Sequence, residues 1–366
     1  MKIGDRQIGA GGVYVIAELG VNHDGSVERA LELTRAAHAA GAHAIKLQYF
    51  ETDRLMSKSA KLAAYQKAAG ETDPIAMLRR VELTMGQMRP IVGLAHELHM
   101  HAIVTVFSTE LVDQAERLAW DAYKTASPDL IHRPLVKRLI ATGKPLIVST
   151  GAANKGEVLK ALEWLESARD RLALMHCVSC YPTRLVDASI AGMFALARLF
   201  DGPIGYSDHT PDDDTSWVAK AAGANLLEKH LTYDRNARGP DHAASLDPRG
   251  FARYVEYVID GNPSGLPRPP RNLSDFVPIP SVLLSDPRVG EPVKRVLDCE
   301  RDVRAISRQS VVARRDMRTG DVLSAADVTI KRPGTGIPPA ELDLVPGKRV
   351  RRDIETDTVI AWEDLS

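Results

Sequence analysis

Through the first two-thirds of the chain, short apolar runs alternate with stretches whose apolar positions recur at helical spacing. The runs lie at 13–19 (VYVIAEL), 44–50 (AIKLQYF), 102–108 (AIVTVFS), 121–125 (DAYKT), 145–150 (PLIVST), 172–178 (LALMHCV), 203–207 (PIGYS) and 224–230 (ANLLEKH). Between them fall helical patterns such as VERALELTRAAHAAG, MRPIVGLAHELHM and GEVLKALEWLESA. Most runs are uninterrupted by polar residues, as parallel strands buried on both faces require. Eight such strands with helices between them predict an α/β fold, a (β/α)8 TIM barrel over residues 1–260. An open doubly wound sheet is the rival, but it carries a phosphate-binding glycine pattern after its first strand. Here that strand leads into ELGVNHDG, which has a different pattern.

Two segments break the cycle. Residues 52–87 form a mostly helical excursion after the second strand, which on a barrel reaches the mouth and serves either as a lid or as surface decoration. From residue 261 the composition shifts to GNPSGLPRPPRNLSDFVPIP, whose prolines predict an extended linker; with a charged, helical 281–305 it makes a connection over 261–306. Residues 307–366 read as short β pieces and turns, a compact domain whose own core is marginal and which is expected to dock on a neighbour.

Composition narrows the function classes. The 366 residues are 44% hydrophobic and 26% charged, as in an ordinary globular protein, and the net charge of −1 supplies no field for nucleic acid or an anionic membrane. The basic cluster Lys348, Arg349, Arg351 and Arg352 is short and flanked by acids, so it reads as a solvated face. The N-terminus lacks the apolar core of a signal peptide, and no run approaches the roughly 18 residues of a spanning helix. Cys177, Cys180 and Cys299 cannot form a paired disulfide framework, which points to a reducing cytoplasm. The Cys177-x-x-Cys180 spacing ends a strand rather than opening a helix and has no second pair, so structural thiols are the expectation.

Barrel chemistry sits at the C-terminal ends of strands. There the chain offers Glu18 and Asn22; Lys46 and Gln48; Ser108 and Thr109; Lys124 and Ser127; Ser149 and Thr150; Ser179 and Tyr181; Ser207, Asp208 and His209; and Glu228, Lys229 and His230. Two lysines and several hydroxyls around one bowl suit a small polyanion, although lysines paired with internal carboxylates such as Glu18 would look the same. His209 and His230 end consecutive strands, about 4.7–4.9 Å apart in a sheet, so both rings could reach one divalent ion or each could be a hydrogen-bonded strand terminus. Asp212, Asp213 and Asp214 open a predicted helix and are expected to cap it.

The stretches AELGVNHDGS, GAHAIKLQYF, AYKTASPDL, KPLIVSTGAA, MHCVSCYPT, GYSDHT and LEKHLTYDRNARGPDHAASLDP, in this order, resemble the sialic acid synthase (N-acetylneuraminate synthase) family. The C-terminal SVVARRDMRTGDVLSAADVTIKRPGTGI resembles that family's antifreeze-like (SAF, β-clip) domain. The resemblance implies a barrel that condenses phosphoenolpyruvate with an N-acetylated aldose, assisted by manganese or magnesium. His209 and His230 match its metal ligands. Lys46, Thr109, Lys124, Ser127, Ser149 and Ser207 match positions that hold phosphate and carboxylate, with Gln48 and Ser179 beside them. Glu18, Tyr181 and Asp241 match polar groups around the reacting centre. Arg332 resembles an arginine that reaches the sugar across a domain-swapped homodimer.

The chain also departs from the family pattern, with Ser127-Pro128-Asp129 in place of a Ser-Gly-Glu-like segment, Ser179 where asparagine occurs, and the Asp212–Asp214 run. Such changes retune the sugar while sparing the lysines and histidines. Alternatives are the same chemistry on legionaminate, pseudaminate, spore-coat or natural-product precursors, a non-catalytic carbohydrate-binding protein, and a Schiff-base aldolase using Lys46 or Lys124.

Overall fold

The computed structural model describes residues 1–9, 12–259, 283 and 285–366. A two-stranded hairpin, β1 (Lys2–Ile3) and β2 (Arg6–Gln7), precedes eight parallel strands. These are β3 (Tyr14–Gly20), β4 (Ala44–Tyr49), β5 (His101–Val106), β6 (Ala122–Thr125), β7 (Leu146–Ser149), β8 (Leu172–Cys177), β9 (Ile204–Asp208) and β10 (Leu226–His230). Each pairs with the next, and β10 closes on β3 through the Leu226–Tyr14 to His230–Glu18 register. The barrel is the one read from the sequence, with strand ends within about two residues of the apolar runs.

The alternating sides of each strand build two cores. Ile16, Ala44, Ile103, Ala122, Ile147, Ala173, Met175 and Leu226 fill the barrel's interior, and Ile3 and Ile8 beside the hairpin plug its foot. Val15, Ala17, Ile45, Leu47, Val104 and Val148 face outward onto the helices, among them Val27–Ala39 and Lys155–Leu165. The helix Pro248–Ile259 completes the cycle by burying Phe251, Tyr254, Val255 and Val258 at helical spacing. Its pattern was present in the sequence but was not among the helices singled out.

Residues 52–87 form three short helices, Thr52–Leu55, Ala64–Ala68 and Pro74–Val81. Leu55, Met56, Leu62, Met77, Leu78 and Val81 pack with Val21, Phe50 and Phe107 into a separate core over the barrel mouth. The excursion is therefore anchored at the mouth rather than hung on the outside.

The proline-rich run 261–280 lies outside the described residues. From residue 285 the chain is docked on the barrel, and among the residues described from there on the expected 281–305 helix begins at Asp298. Glu300 Oε1 accepts the backbone amides of Ala152 at 2.6 Å and Ser179 at 2.8 Å. Glu157 on the barrel's Lys155–Leu165 helix receives Arg304 at 2.7 and 2.8 Å and Arg308 at 2.7 and 3.1 Å. The small domain follows, with β11 (Ser310–Ala313) antiparallel to β12 (Val328–Lys331) over a core of Val311, Met317, Val345 and Ile354. It docks edge-on at the mouth: Arg332 N donates to Leu55 O at 2.8 Å and Ser57 N to Arg332 O at 3.1 Å. Arg332 thereby enters the mouth of its own chain's barrel.

Candidate active site

A cavity of ≈ 130 Å³ lies inside the barrel mouth, lined by strand-end residues, by Tyr65, Gln66, Met77 and Leu78 of the excursion, and by Val303, Ser307 and Arg332 from the C-terminal part. A larger depression of ≈ 720 Å³ at the barrel foot, around Met1, Phe200 and Asn225, holds no comparable set of ionisable groups. The mouth is where the chemistry is concentrated.

Its floor is a chain of charges. Lys46 Nζ lies 3.2 Å from Glu18 Oε2 and 3.5 Å from Glu228 Oε2, and Lys124 Nζ lies 3.2 Å from Glu228 Oε1. Gln48 Nε2 donates to Glu18 Oε1 at 2.8 Å, and Ser207 Oγ to Glu228 Oε1 at 3.0 Å. The carboxylate pairing foreseen as the alternative for the two lysines is thus present. Both ammonium groups nevertheless line the cavity. Burial pushes Glu18 up to about 7 although Lys46 opposes it. Burial also resists charge on Glu228, but Lys124 and Lys46 prevail and hold it down at about 2. The pair therefore shares its charge unequally, with Glu228 the permanent anion.

Beside Lys124 sits a nest of small polar groups. Ser127 Oγ donates to Ser149 Oγ at 3.0 Å and lies 3.0 Å from Cys177 Sγ, and Gly151 N donates to Ser127 Oγ at 3.1 Å. Ser179 Oγ is buried and has no partner. The nest exists because residue 151 is glycine: a Cβ there would fall 2.3 Å from Ser179 Oγ and 2.8 Å from Ser127 Oγ. Pro128 costs no hydrogen bond, because it occupies the first turn of the Ser127–Ile131 3-10 helix.

At the opposite wall, the His209 and His230 ring centroids are 5.6 Å apart. His209 Nδ1 is fixed by Val178 O at 2.8 Å, which leaves Nε2 free, and His230 Nδ1 is buried without a hydrogen-bond partner, 3.6 Å from Asp241 Oδ2. Burial lowers His209 to about 4 and His230 well below its usual value, so both rings are neutral, as metal ligands must be. A backbone carbonyl orienting the second nitrogen is the usual support of a ligating histidine. Among the described residues no group of three His, Cys, Asp or Glu side chains is arranged to hold an ion. The donors present fit a divalent ion that keeps open positions, not an enclosed structural site.

Tyr181 packs on His209 at 4.3 Å and on Tyr65 at 5.1 Å between centroids, roofing the histidines. Burial pushes Asp241 up to about 6, with His242 and Lys46 opposing. Gly20, at φ +52° where β3 bulges, lets Glu18, Gln48 and Asp241 converge. Arg332 reaches the rim with its guanidinium 5.5 Å from the Phe107 ring centroid.

Of the residues expected at the site, only Thr109 is not placed in the lining: it starts a half-exposed 3-10 turn. On the inward side of β5 it is Thr105 that lines the cavity, its hydroxyl 3.4 Å from Lys46 Nζ. Glu228 belongs to the site although it was named only as a strand end, and its inward position two residues before His230 was a readable signal. Tyr65, Gln66, Val303 and Ser307 carried no local signal. Asp214 stands at the start of helix Thr215–Ala221 without a side-chain capping bond, and the expected capping gives way to ion pairs of Asp213 with Arg253 and Asp214 with Arg288, both at 2.6 Å.

With this geometry in place, comparison with known proteins is decisive. The NeuB family model matches residues 33–262, and the SAF domain model matches residues 308–366. The chain belongs to the NeuB family. It is 32% identical to the N,N'-diacetyllegionaminic acid synthase of Legionella pneumophila, over 96% of this chain and 94% of that protein. It is 27% identical to the N-acetylneuraminate-9-phosphate synthase of Homo sapiens, over 96% of this chain and 92% of that one. Its fold matches the spore coat polysaccharide biosynthesis protein spsE of Bacillus subtilis with a TM-score of 0.80 and 27% identity, covering 100% of this chain and 99% of that chain. Among the described residues no helix is long and apolar enough to cross a membrane.

Proposed function

We propose that this NeuB-family chain is a transferase that condenses phosphoenolpyruvate with an N-acetylated aldose and water, giving a nonulosonic acid and phosphate. The observation that carries the reading is the meeting of Lys46 and Lys124 with the neutral pair His209 and His230 in one closed mouth. The lysines and the hydroxyls of Ser127, Ser149, Ser179 and Ser207 would hold the carboxylate and phosphate oxygens. A divalent ion, manganese or magnesium, held by His209 and His230 would supply Lewis-acid polarisation of the sugar aldehyde.

Carbon 3 of phosphoenolpyruvate forms the new C–C bond to the aldehyde carbon, whose oxygen takes a proton. The cation left at carbon 2 takes up water, that water loses a proton, and the adduct collapses with C–O cleavage to release phosphate. Glu18 touches Lys46 and so lies at the phosphoenolpyruvate end, where its carboxyl, raised to about 7, can receive the water proton. Asp241 lies beside His230 at the aldehyde end and serves the sugar's oxygen. Tyr181 and Tyr65 exclude water above them.

N-acetylmannosamine is the first acceptor to test, with legionaminate, pseudaminate and spore-coat precursors next. Among the described residues, the cations lining the cavity are Lys46, Lys124 and Arg332, the two histidines being neutral. Those three match one trianionic substrate and supply nothing for a second phosphate, which favours an unphosphorylated sugar. Both lysines are ion-paired, which argues against a free amine for Schiff-base chemistry. The test is phosphate release from phosphoenolpyruvate across a panel of acylated aldoses, each with and without its terminal phosphate, with manganese and with chelator. Release that needs both sugar and metal supports the reading. No release across the whole panel overturns it in favour of a carbohydrate-binding protein.

A further inference from the structure

The third cysteine acquires a partner that its position in the sequence does not suggest. Cys180 lies between Ser179 and Tyr181 on the mouth loop after β8, and Cys299 lies in the docked segment that leads to the small domain. The Cys180 thiol donates to Pro182 O at 3.6 Å, and each cysteine is the other's strongest electrostatic neighbour. The backbone around them is pinned independently. Ser179 N, one residue before Cys180, donates at 2.8 Å to the carboxylate of Glu300, one residue after Cys299. The other oxygen of that carboxylate accepts Leu297 N at 2.9 Å. Both thiols are half-exposed, so a small oxidant has access. Cys177, by contrast, is buried against Ser127.

We propose that Cys180 and Cys299 form a reversible disulfide that fastens the mouth loop carrying Tyr181 to the C-terminal segment carrying Val303 and Ser307. The oxidant is a peroxide. The Cys180 thiolate attacks the O–O bond to give a sulfenic acid and hydroxide; the Cys299 thiol then displaces water, and the S–S bond forms as two thiols are oxidised and one peroxide is reduced. Cys180 is the attacking group. Interaction with Cys299 outweighs burial and brings the Cys180 thiol down to about 7, whereas Cys299 is raised. In a reducing compartment such a bridge is transient, which is the behaviour of a redox-responsive pair rather than of a structural disulfide.

The test is peptide mapping of the full chain after hydrogen peroxide and then alkylation of the remaining thiols, with and without dithiothreitol. The expected result is a Cys180–Cys299 cross-linked peptide that disappears on reduction, with Cys177 recovered as a free thiol. In the Cys299→Ser variant the Cys180 sulfenic acid should instead be trapped by a 1,3-diketone probe. Isotope-labelled and unlabelled chains mixed before oxidation should give the bridge within one chain. Oxidation of Cys180 to sulfinic acid without a bridge, a bridge to Cys177, or a bridge only between chains each overturns the proposal; the wild-type map decides even where the variant does not fold.

Discussion

Replacing Glu157 with glutamine attacks the joint that holds the C-terminal segment on the barrel. The Glu157 carboxylate receives four hydrogen bonds from Arg304 and Arg308, and both guanidinium groups also bond Ala152 O beside the serine nest. Burial alone would raise this carboxyl, but the two arginines bring it from 4.5 to about 2. That difference would be roughly 3 kcal/mol at full strength, and solvent screening of these part-exposed side chains reduces it to about 1–2 kcal/mol. The folded-state value is depressed, so the contribution is complete above about pH 4.5 and is lost as pH falls toward 2. By pH 3 it should have shrunk to less than half of its value at pH 7. Urea unfolding of wild type and Glu157→Gln at pH 7 and pH 3 measures it. Hydrogen exchange should localise the weakening to residues 298–308. Equal stabilities at pH 7, or a gap that does not narrow at pH 3, would refute the assignment of this clamp.

The remaining predictions concern the mouth. Under the proposed reading, His209→Ala and His230→Ala should each lower turnover by at least about 1000-fold, the rate equivalent of several kcal/mol, with far-UV circular dichroism unchanged. Normal turnover by either after thorough chelation would end the metal assignment. Lys124→Met should raise the KM for phosphoenolpyruvate by roughly 10- to 100-fold, the worth of a charged hydrogen bond, while a change confined to the KM of the sugar would move that lysine to the other substrate. Gly151→Ala places a methyl against Ser179, Cys177 and Ser127 and should cost about 1–3 kcal/mol of stability, with phosphoenolpyruvate binding weakened more than sugar binding. Calorimetric titration that finds both ligands bound as before would show that the nest does not hold the anion.

What the sequence disclosed follows from how each feature is encoded. Barrel strands covered on both faces need uninterrupted apolar runs, and polar strand ends stand out against them, so Lys46, Lys124, His209 and His230 could be read directly. Thr105 was not singled out, because a run of letters does not say where a strand gives way to a 3-10 turn, and that boundary decides which hydroxyl faces inward. Glu300, Arg304 and Arg308 act on partners more than 100 residues earlier, at Ser179, Ala152 and Glu157, so a window-sized pattern sees only a charged helix. The Asp212–Asp214 run looked like helix capping for the same reason: Arg253 and Arg288 lie on other elements. Cys180 and Cys299 are likewise a pair made by docking alone.

Under the proposed reading, the mouth also explains why the lysines that would hold an anion are already paired. A buried ammonium without a counter-charge would lose its proton, and burial does press Lys124 downward while Glu228 opposes it. Glu18 and Glu228 keep Lys46 charged in the free protein, and its value is raised despite burial. They cannot both hold full charge once a trianion arrives. Glu18, already raised to about 7, can take a proton near neutrality, whereas Glu228, held at about 2 between two lysines, cannot. Under the proposed reading, a phosphate or carboxylate oxygen that draws Lys46 away would raise the basicity of Glu18, which would hold its carboxylate form until the proton of the attacking water reaches it.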